Sequence, residues 1–205
     1  MSATPSTMLE LGTKAPDFSL PDVSSGCVIS IGTFNDKRAL LVMFICQHCP
    51  FVKHVKSELA RLGRDYGTKD VGIVGISSND PAVSSEDSPE GLKRMAAEWD
   101  LSFPVCYDET QEIAKSYAAA CTPEFYVFDR DRRLVYRGQL DDSRPSNGKP
   151  VTGADLRAAI DALLADRLIN PDQRPSLGCN IKWKPGNAPA YYPAALATST
   201  SRGRP

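Results

Sequence analysis

Two cysteines set two residues apart, Cys46 and Cys49, are the side chains in this sequence best placed to do chemistry. They stand in Cys46-Gln47-His48-Cys49-Pro50, directly after an apolar run (residues 39–45) and before Phe51-Val52-Lys53-His54-Val55. A buried strand is thus expected to deliver both thiols to the start of an amphipathic helix. A helix start offers unpaired N–H groups and the positive end of the macrodipole, and both favour a thiolate. Cysteines in such places have their pKa drawn from about 8.5 into the range of roughly 3.5 to 7.5. Thiols at this spacing also close a small disulfide ring. Cys46, nearer the strand end, is the expected nucleophile that forms a mixed disulfide. Cys49 is expected to resolve it, leaving a Cys46–Cys49 bridge. A protonated His48 between them would favour the thiolate and make the pair more oxidising.

The elements that must position these residues follow from apolar periodicity. Residues 39–45 form a continuous apolar run, the signature of a strand buried on both faces, and residues 71–76 form another. Between them, Phe51, Val55, Leu59 and Leu62 recur at helical spacing, and Gly67 closes the helix. Residues 81–89 read as a polar loop, 90–99 as a helix, 103–107 as a short strand and 110–119 as a helix. Residues 124–129 and 133–138 make a hairpin across a charged turn, Arg130-Asp131-Arg132, expected to be solvated; residues 155–168 close the domain as a helix. The pattern predicts a three-layer α/β sandwich, a central mixed sheet with helices on both faces. Right-handed crossovers gather the strand-to-helix ends at one edge, where Cys46 lies.

The domain is expected over residues 9–168, followed by a Pro/Gly-rich tail, 169–205, that is partly docked. Within the tail, Ile181 and Trp183 alternate with Lys182 and Lys184, so two apolar side chains can face the domain while the lysines face water. With 205 residues, 41% hydrophobic and 24% charged, the chain has ordinary globular composition. A formal net charge of −1 gives no global field for nucleic acid or an anionic membrane. No signal-peptide pattern opens the sequence and no apolar run approaches the roughly 20 residues of a membrane span. The expectation is a cytoplasmic protein with no nucleic-acid or membrane partner. Six cysteines are too few for a disulfide scaffold. Cys27 and Cys106 read as structural, and His54 as a surface or packing residue. No phosphate loop, dinucleotide fingerprint or zinc-protease helix is present, so no cofactor or metal is expected.

Three pieces in order carry a family resemblance. Gly12-Thr13-Lys14-Ala15-Pro16-Asp17-Phe18-Ser19-Leu20 is similar to the Gly-x-x-Ala-Pro-Asp-Phe-x-Leu opening of the alkyl hydroperoxide reductase/thiol-specific antioxidant group. Cys46-Gln47-His48-Cys49 looks like the Cys-x-x-Cys of thioredoxins, and Thr122-Pro123 like their Thr-cisPro. The chain therefore resembles the thioredoxin-fold superfamily in its peroxiredoxin-like branch. The resemblance implies a cis peptide at Pro123 that turns the Thr122 backbone outward beside Cys46, ready to pair with a substrate chain. Cys121 is then either a third redox thiol or a small buried residue, and Glu124 either a proton relay or a strand-edge carboxylate. Departures matter too. Laid on the peroxiredoxin Thr-x-x-Cys, Cys49 takes the peroxidatic place and Cys46 replaces the threonine, while the peroxide-polarising arginine is missing near Pro123. The thioredoxin carboxylate on the strand before the motif is also missing, which leaves proton transfer to water, His48 or another group.

Three functions compete on these grounds. The first is a thiol–disulfide oxidoreductase acting through Cys46 and Cys49 on disulfides of proteins or small thiols, with an external thiol as electron donor. The second is an antioxidant peroxidase reducing hydroperoxides through Cys49. The third is a metal-binding module built on Cys46, Cys49 and Cys121, with His48 as a further candidate ligand, although one Cys-x-x-Cys supplies only two of the four ligands of a closed zinc site.

Overall fold

The computed structural model describes residues 3–192, so the end of the tail lies outside the described residues. In chain order the strands and helices are β1 (Thr4–Pro5), β2 (Ser19–Pro21), β3 (Val28–Ser30), β4 (Ala39–Phe44), α1 (Pro50–Tyr66), β5 (Val71–Ser77), α2 (Pro89–Glu98) and β6 (Val105–Tyr107). There follow α3 (Glu112–Ser116), β7 (Cys121–Thr122), β8 (Glu124–Phe128), β9 (Leu134–Gly138), α4 (Ala154–Leu164) and β10 (Leu177–Asn180).

Five strands form the main sheet in the order β6-β5-β4-β8-β9. The apolar run of β4 sits at its centre, parallel to β5 and antiparallel to β8, and every side chain in it is fully buried. Alternation along β4 supplies both faces. Leu41 and Met43 pack with Val52, Leu59 and Leu62 of α1, Leu92 and Met95 of α2, and Leu156 and Ile160 of α4. Leu40, Val42 and Phe44 pack on the other face with Ala114 of α3, Tyr117, Phe18, Phe34, Ile181 and Trp183. Phe44, Tyr117, Tyr126 and Phe128 meet there edge to face, with ring centroids 5.6–6.0 Å apart. The sheet is mixed and covered on both faces, a three-layer α/β sandwich.

Differences from the expected elements have local causes. The helix anticipated over 110–119 shrinks to α3, because Gln111 and Ala118 adopt left-handed φ values of 65° and 51° at its ends. The last helix stops at Leu164 rather than 168, and Leu168 is fully exposed. The turn at 130–132 is not simply solvated: Arg132 is buried and its guanidinium donates to the carbonyls of Phe34, Lys37 and Asp129. Cys27 is exposed beside β3, which removes it from the packing residues, whereas Cys106 is buried. His54 bonds Ser143 Oγ at 2.7 Å.

The tail docks, and it does so as a strand. β10 pairs antiparallel with β1 on one side and with β7 on the other. Ile181 and Trp183 are buried, as their alternation with lysines predicts.

Candidate active site

β4 ends at Phe44, and Ile45 hydrogen-bonds across to Ile76, so the chain leaves the sheet directly into the Cys46–Cys49 loop. Cys49 is the N-cap of α1 and Pro50 occupies its first position, where a missing N–H costs nothing. Cys46 thus lies in the loop before the helix, not in its first turn. Both thiols are buried.

Just before β8, the neighbour of β4, the end of β7 supplies Thr122 and a cis Thr122–Pro123 peptide, matching the expected geometry. Cys46 Sγ lies 3.3 Å from Thr122 Oγ1 and 3.8 Å from His48 Nδ1, while Cys49 Sγ lies 3.2 Å from the Thr122 carbonyl oxygen. The two cysteines are buried in the same cluster. The structure therefore brings Cys46, His48, Cys49, Thr122 and Pro123 into one place.

It also adds a residue that sequence reading missed. Asp87, from the segment expected to be a plain polar loop, is completely buried and faces the motif. Its Oδ1 accepts from the backbone N–H of Gln47 (2.8 Å) and His48 (3.1 Å). Its Oδ2 is bound to His48 Nδ1 and accepts from Asn79 Nδ2 at 2.8 Å. Burial pushes the Asp87 carboxyl up, but the hydrogen bonds and charge of His48, with Asn79, hold it below the ordinary carboxylate range. The only sequence signal for Asp87 was its position just before Ser88, which caps α2 through Gly91 N–H.

The charge balance of the thiols differs from the simple helix-start expectation. Burial, the Cys49 contact and the Asp87 carboxylate push the Cys46 thiol up. Hydrogen bonds from Cys179 and Cys46, helped by the Val52 amide at the helix start, draw Cys49 down against its burial. The Cys46 thiol is thus held up and the Cys49 thiol drawn down, while the contact of Cys49 Sγ with the Thr122 carbonyl favours its thiol form.

Cys121 is buried behind the site, its sulfur 3.8 Å from Glu124 Oε2, and burial and that carboxyl push its thiol up. Glu124 is not a strand-edge carboxylate. It sits buried on β8 opposite Phe44, accepts from the Ala120 and Cys121 amides, and takes the Tyr126 hydroxyl at 2.8 Å. Burial raises it to about 7 from an ordinary 4.5, against the pull of those donors. A carboxyl whose folded pKa exceeds its unfolded one binds its proton more tightly in the native state. The stability it contributes is present in full below the unfolded pKa and is lost as pH rises through the folded one. The shift corresponds to about 3 kcal/mol. Wild-type protein is expected to lose about that much stability between pH 4.5 and 8 relative to Glu124→Gln. Urea titrations across that range check this; parallel pH profiles for the two proteins would refute it.

The expected metal set is not assembled. Among the described residues, the ligand-type side chains within 4.8 Å of one another are Cys46, His48 and Asp87, and not Cys46, Cys49 and Cys121. Asp87 already accepts four hydrogen bonds.

A further difference concerns the Thr122 backbone. It was expected to await a substrate chain, but β10 of the same molecule pairs with it, Cys179 directly opposite Thr122 and Asn180 opposite Cys121.

A Redoxin family model matches residues 10–156. This chain is a member of the Redoxin family. An uncharacterized conserved protein of Geobacillus kaustophilus, known from its crystal structure, is 56% identical to this redoxin, with a TM-score of 0.89 over 91% of this chain and 98% of its own. The thiol-disulfide oxidoreductase ResA of Bacillus thuringiensis is 26% identical over 129 residues, covering 62% of the redoxin and 68% of ResA. Rv2521 of Mycobacterium tuberculosis, provisionally named a peroxiredoxin, is 26% identical over 144 residues, covering 64% and 86%. The redoxin has a thioredoxin-like fold and is similar to oxidoreductases of thiol chemistry. Among its described residues no helix is long and apolar enough to cross a membrane.

Proposed function

We propose that this redoxin is a thiol–disulfide oxidoreductase that cycles Cys46 and Cys49 between dithiol and disulfide. The observation that carries the reading is that both sulfurs meet Thr122 beside cis-Pro123, with the His48–Asp87 pair against Cys46. In the reduced site Cys46 gives up its proton to water, since His48 Nδ1 already donates to Asp87. The Cys46 sulfur then attacks one sulfur of a substrate disulfide, and the other sulfur leaves as a thiolate. Cys49, ionised in turn, attacks Cys46 Sγ, closes the Cys46–Cys49 bond and releases the second substrate thiol. An external thiol returns the pair to the dithiol. The substrate is the disulfide of a protein or small thiol, and a cytoplasmic setting is part of the proposal.

A peroxidase reading has one specific support: Cys49 stands in the peroxidatic place and its thiol is drawn down. Against it, the partners of the two sulfurs among the described residues are thiols, His48, Thr122 and the Val52 amide, without a guanidinium to stabilise charge developing on a peroxide. Stopped-flow mixing of the reduced protein with hydrogen peroxide, beside turnover of a peptide disulfide, separates the two. The peroxide rate constant is expected to stay below about 10⁵ M⁻¹s⁻¹, low in the range of proficient enzymes. A faster peroxide reaction without disulfide turnover would establish the peroxidase instead.

A further inference from the structure

β10 brings a third thiol to the redox pair. Its register sets Cys179 opposite Thr122, whose carbonyl oxygen is 3.2 Å from Cys49 Sγ. The Cys179 side chain is buried in the same cluster as Cys46 and Cys49, on a strand that packs against α1. Cys121, by contrast, lies opposite Asn180 and turns its sulfur to Pro123 O and Glu124.

This placement is held from several directions. Gly178 packs so close to β7 that a Cβ there would meet Thr122 O at 2.0 Å. Ile181 N–H donates to Ala120 O, Asp80 N–H to Lys182 O, and Lys182 N–H to Asn79 Oδ1. Asn79 in turn donates to Asp87, so the segment that carries Cys179 is tied to the group that holds His48. An alanine or valine could fill the space beside Cys49. Only a thiol adds exchange chemistry there.

We propose that Cys179 is a third redox residue, which exchanges with the Cys46–Cys49 disulfide to give a Cys49–Cys179 disulfide and a free Cys46. The proposal rests on the redox cycle set out above. Cys179 gives up its proton and its sulfur forms a bond to Cys49 Sγ. The Cys46–Cys49 bond breaks, its electron pair stays on Cys46, and Cys46 takes up, by way of water, the proton that Cys179 released. One disulfide exists before and after, so no outside oxidant or reductant enters this step. The oxidised protein regains a nucleophilic Cys46 next to His48, while β10 becomes covalently joined to the start of α1.

Diamide oxidation of the full chain, acid quenching, alkylation and tryptic mapping test it. Cys46 and Cys49 fall in one peptide, residues 39–53, and Cys179 in another, residues 168–182. In Cys46→Ser the expected product is a cross-link between these two peptides, and in wild type the same cross-link alongside the internal Cys46–Cys49 bond. Cys46→Ala repeats the test with a different side chain, and Cys179→Ser should lose the cross-link. Its absence from both Cys46 variants, whether their thiols stay free or pair through Cys121, overturns the proposal. Failure of the redox cycle itself reads differently: wild type would then neither form the internal bond nor turn over a peptide disulfide.

Discussion

Cys46→Ser is expected to lower turnover of a peptide disulfide by roughly 10³-fold or more, the scale of removing an enzyme's nucleophile. Cys49→Ser is expected to complete the first step and stall, accumulating a mixed disulfide on Cys46. The asymmetry comes from what covers each sulfur. Cys46 adjoins His48, whose side chain is 17% exposed, whereas Cys49 is shut in by the Thr122 carbonyl and Cys179. A bulky disulfide approaching past His48 meets Cys46 first. Both sulfurs are buried, and Cys49, walled in by the Thr122 carbonyl and β10, fits the residue that attacks second. Intact-mass measurement after mixing each variant with a peptide disulfide distinguishes the two roles. Mixed disulfides trapped on Cys49 in Cys46→Ser, with none in Cys49→Ser, would reverse them.

Gly178→Ala is expected to destabilise the protein by about 4 kcal/mol although it adds only one carbon. The new Cβ would stand 2.0 Å from Thr122 O and 2.6 Å from its carbonyl carbon. These are backbone atoms beside cis-Pro123, pinned by the β7–β10 pairing itself, and no side-chain rotation relieves the clash. Relief requires β10 to lift, which takes Ile181 and Trp183 out of the core; burial of such side chains is worth about 1.5–3 kcal/mol each. For a chain of this length, 1 kcal/mol moves the melting temperature by about 2–4 °C, so a fall of about 8–16 °C is expected. Alkylation of Cys49 and Cys179 should accelerate in parallel. A variant that melts within about 2 °C of wild type, with its thiols still protected, would show that β10 does not depend on this close approach.

The contrast between what the sequence disclosed and what it hid follows from the range of the interactions. β4 and β5 were legible because a strand buried on both faces needs an unbroken apolar run. The Cys46–Cys49 motif was legible because strand end, thiols and Pro50 are contiguous. Ile181 and Trp183 announced docking through their alternation with lysines. None of these local patterns says where a docked strand goes, and the pairing of β10 with β7 was therefore not anticipated. Asp87 was hidden among Glu86, Ser84 and Ser85, since a buried carboxylate and a solvated one look alike until a partner 40 residues away is brought to it. Glu124 offered a better clue. An acidic residue opening Phe125-Tyr126-Val127-Phe128, a stretch without polar alternation, has no solvent face available, and its burial follows from that run.

The position of β10 also bears on how the molecule is made. Cys46 and Cys49 leave the ribosome well before Cys179, with about 130 residues between Cys49 and Cys179. At about 5–20 residues per second, that gap lasts on the order of 10 s. For that interval β4, α1 and β5 can form while the wall over Cys49 has not yet been synthesised. The nascent chain thus carries a thiol pair that β10 does not yet cover. The pair reaches its mature surroundings only when β10 is threaded between β1 and β7, so the chemistry of Cys46 and Cys49 waits on a strand made some 130 residues later.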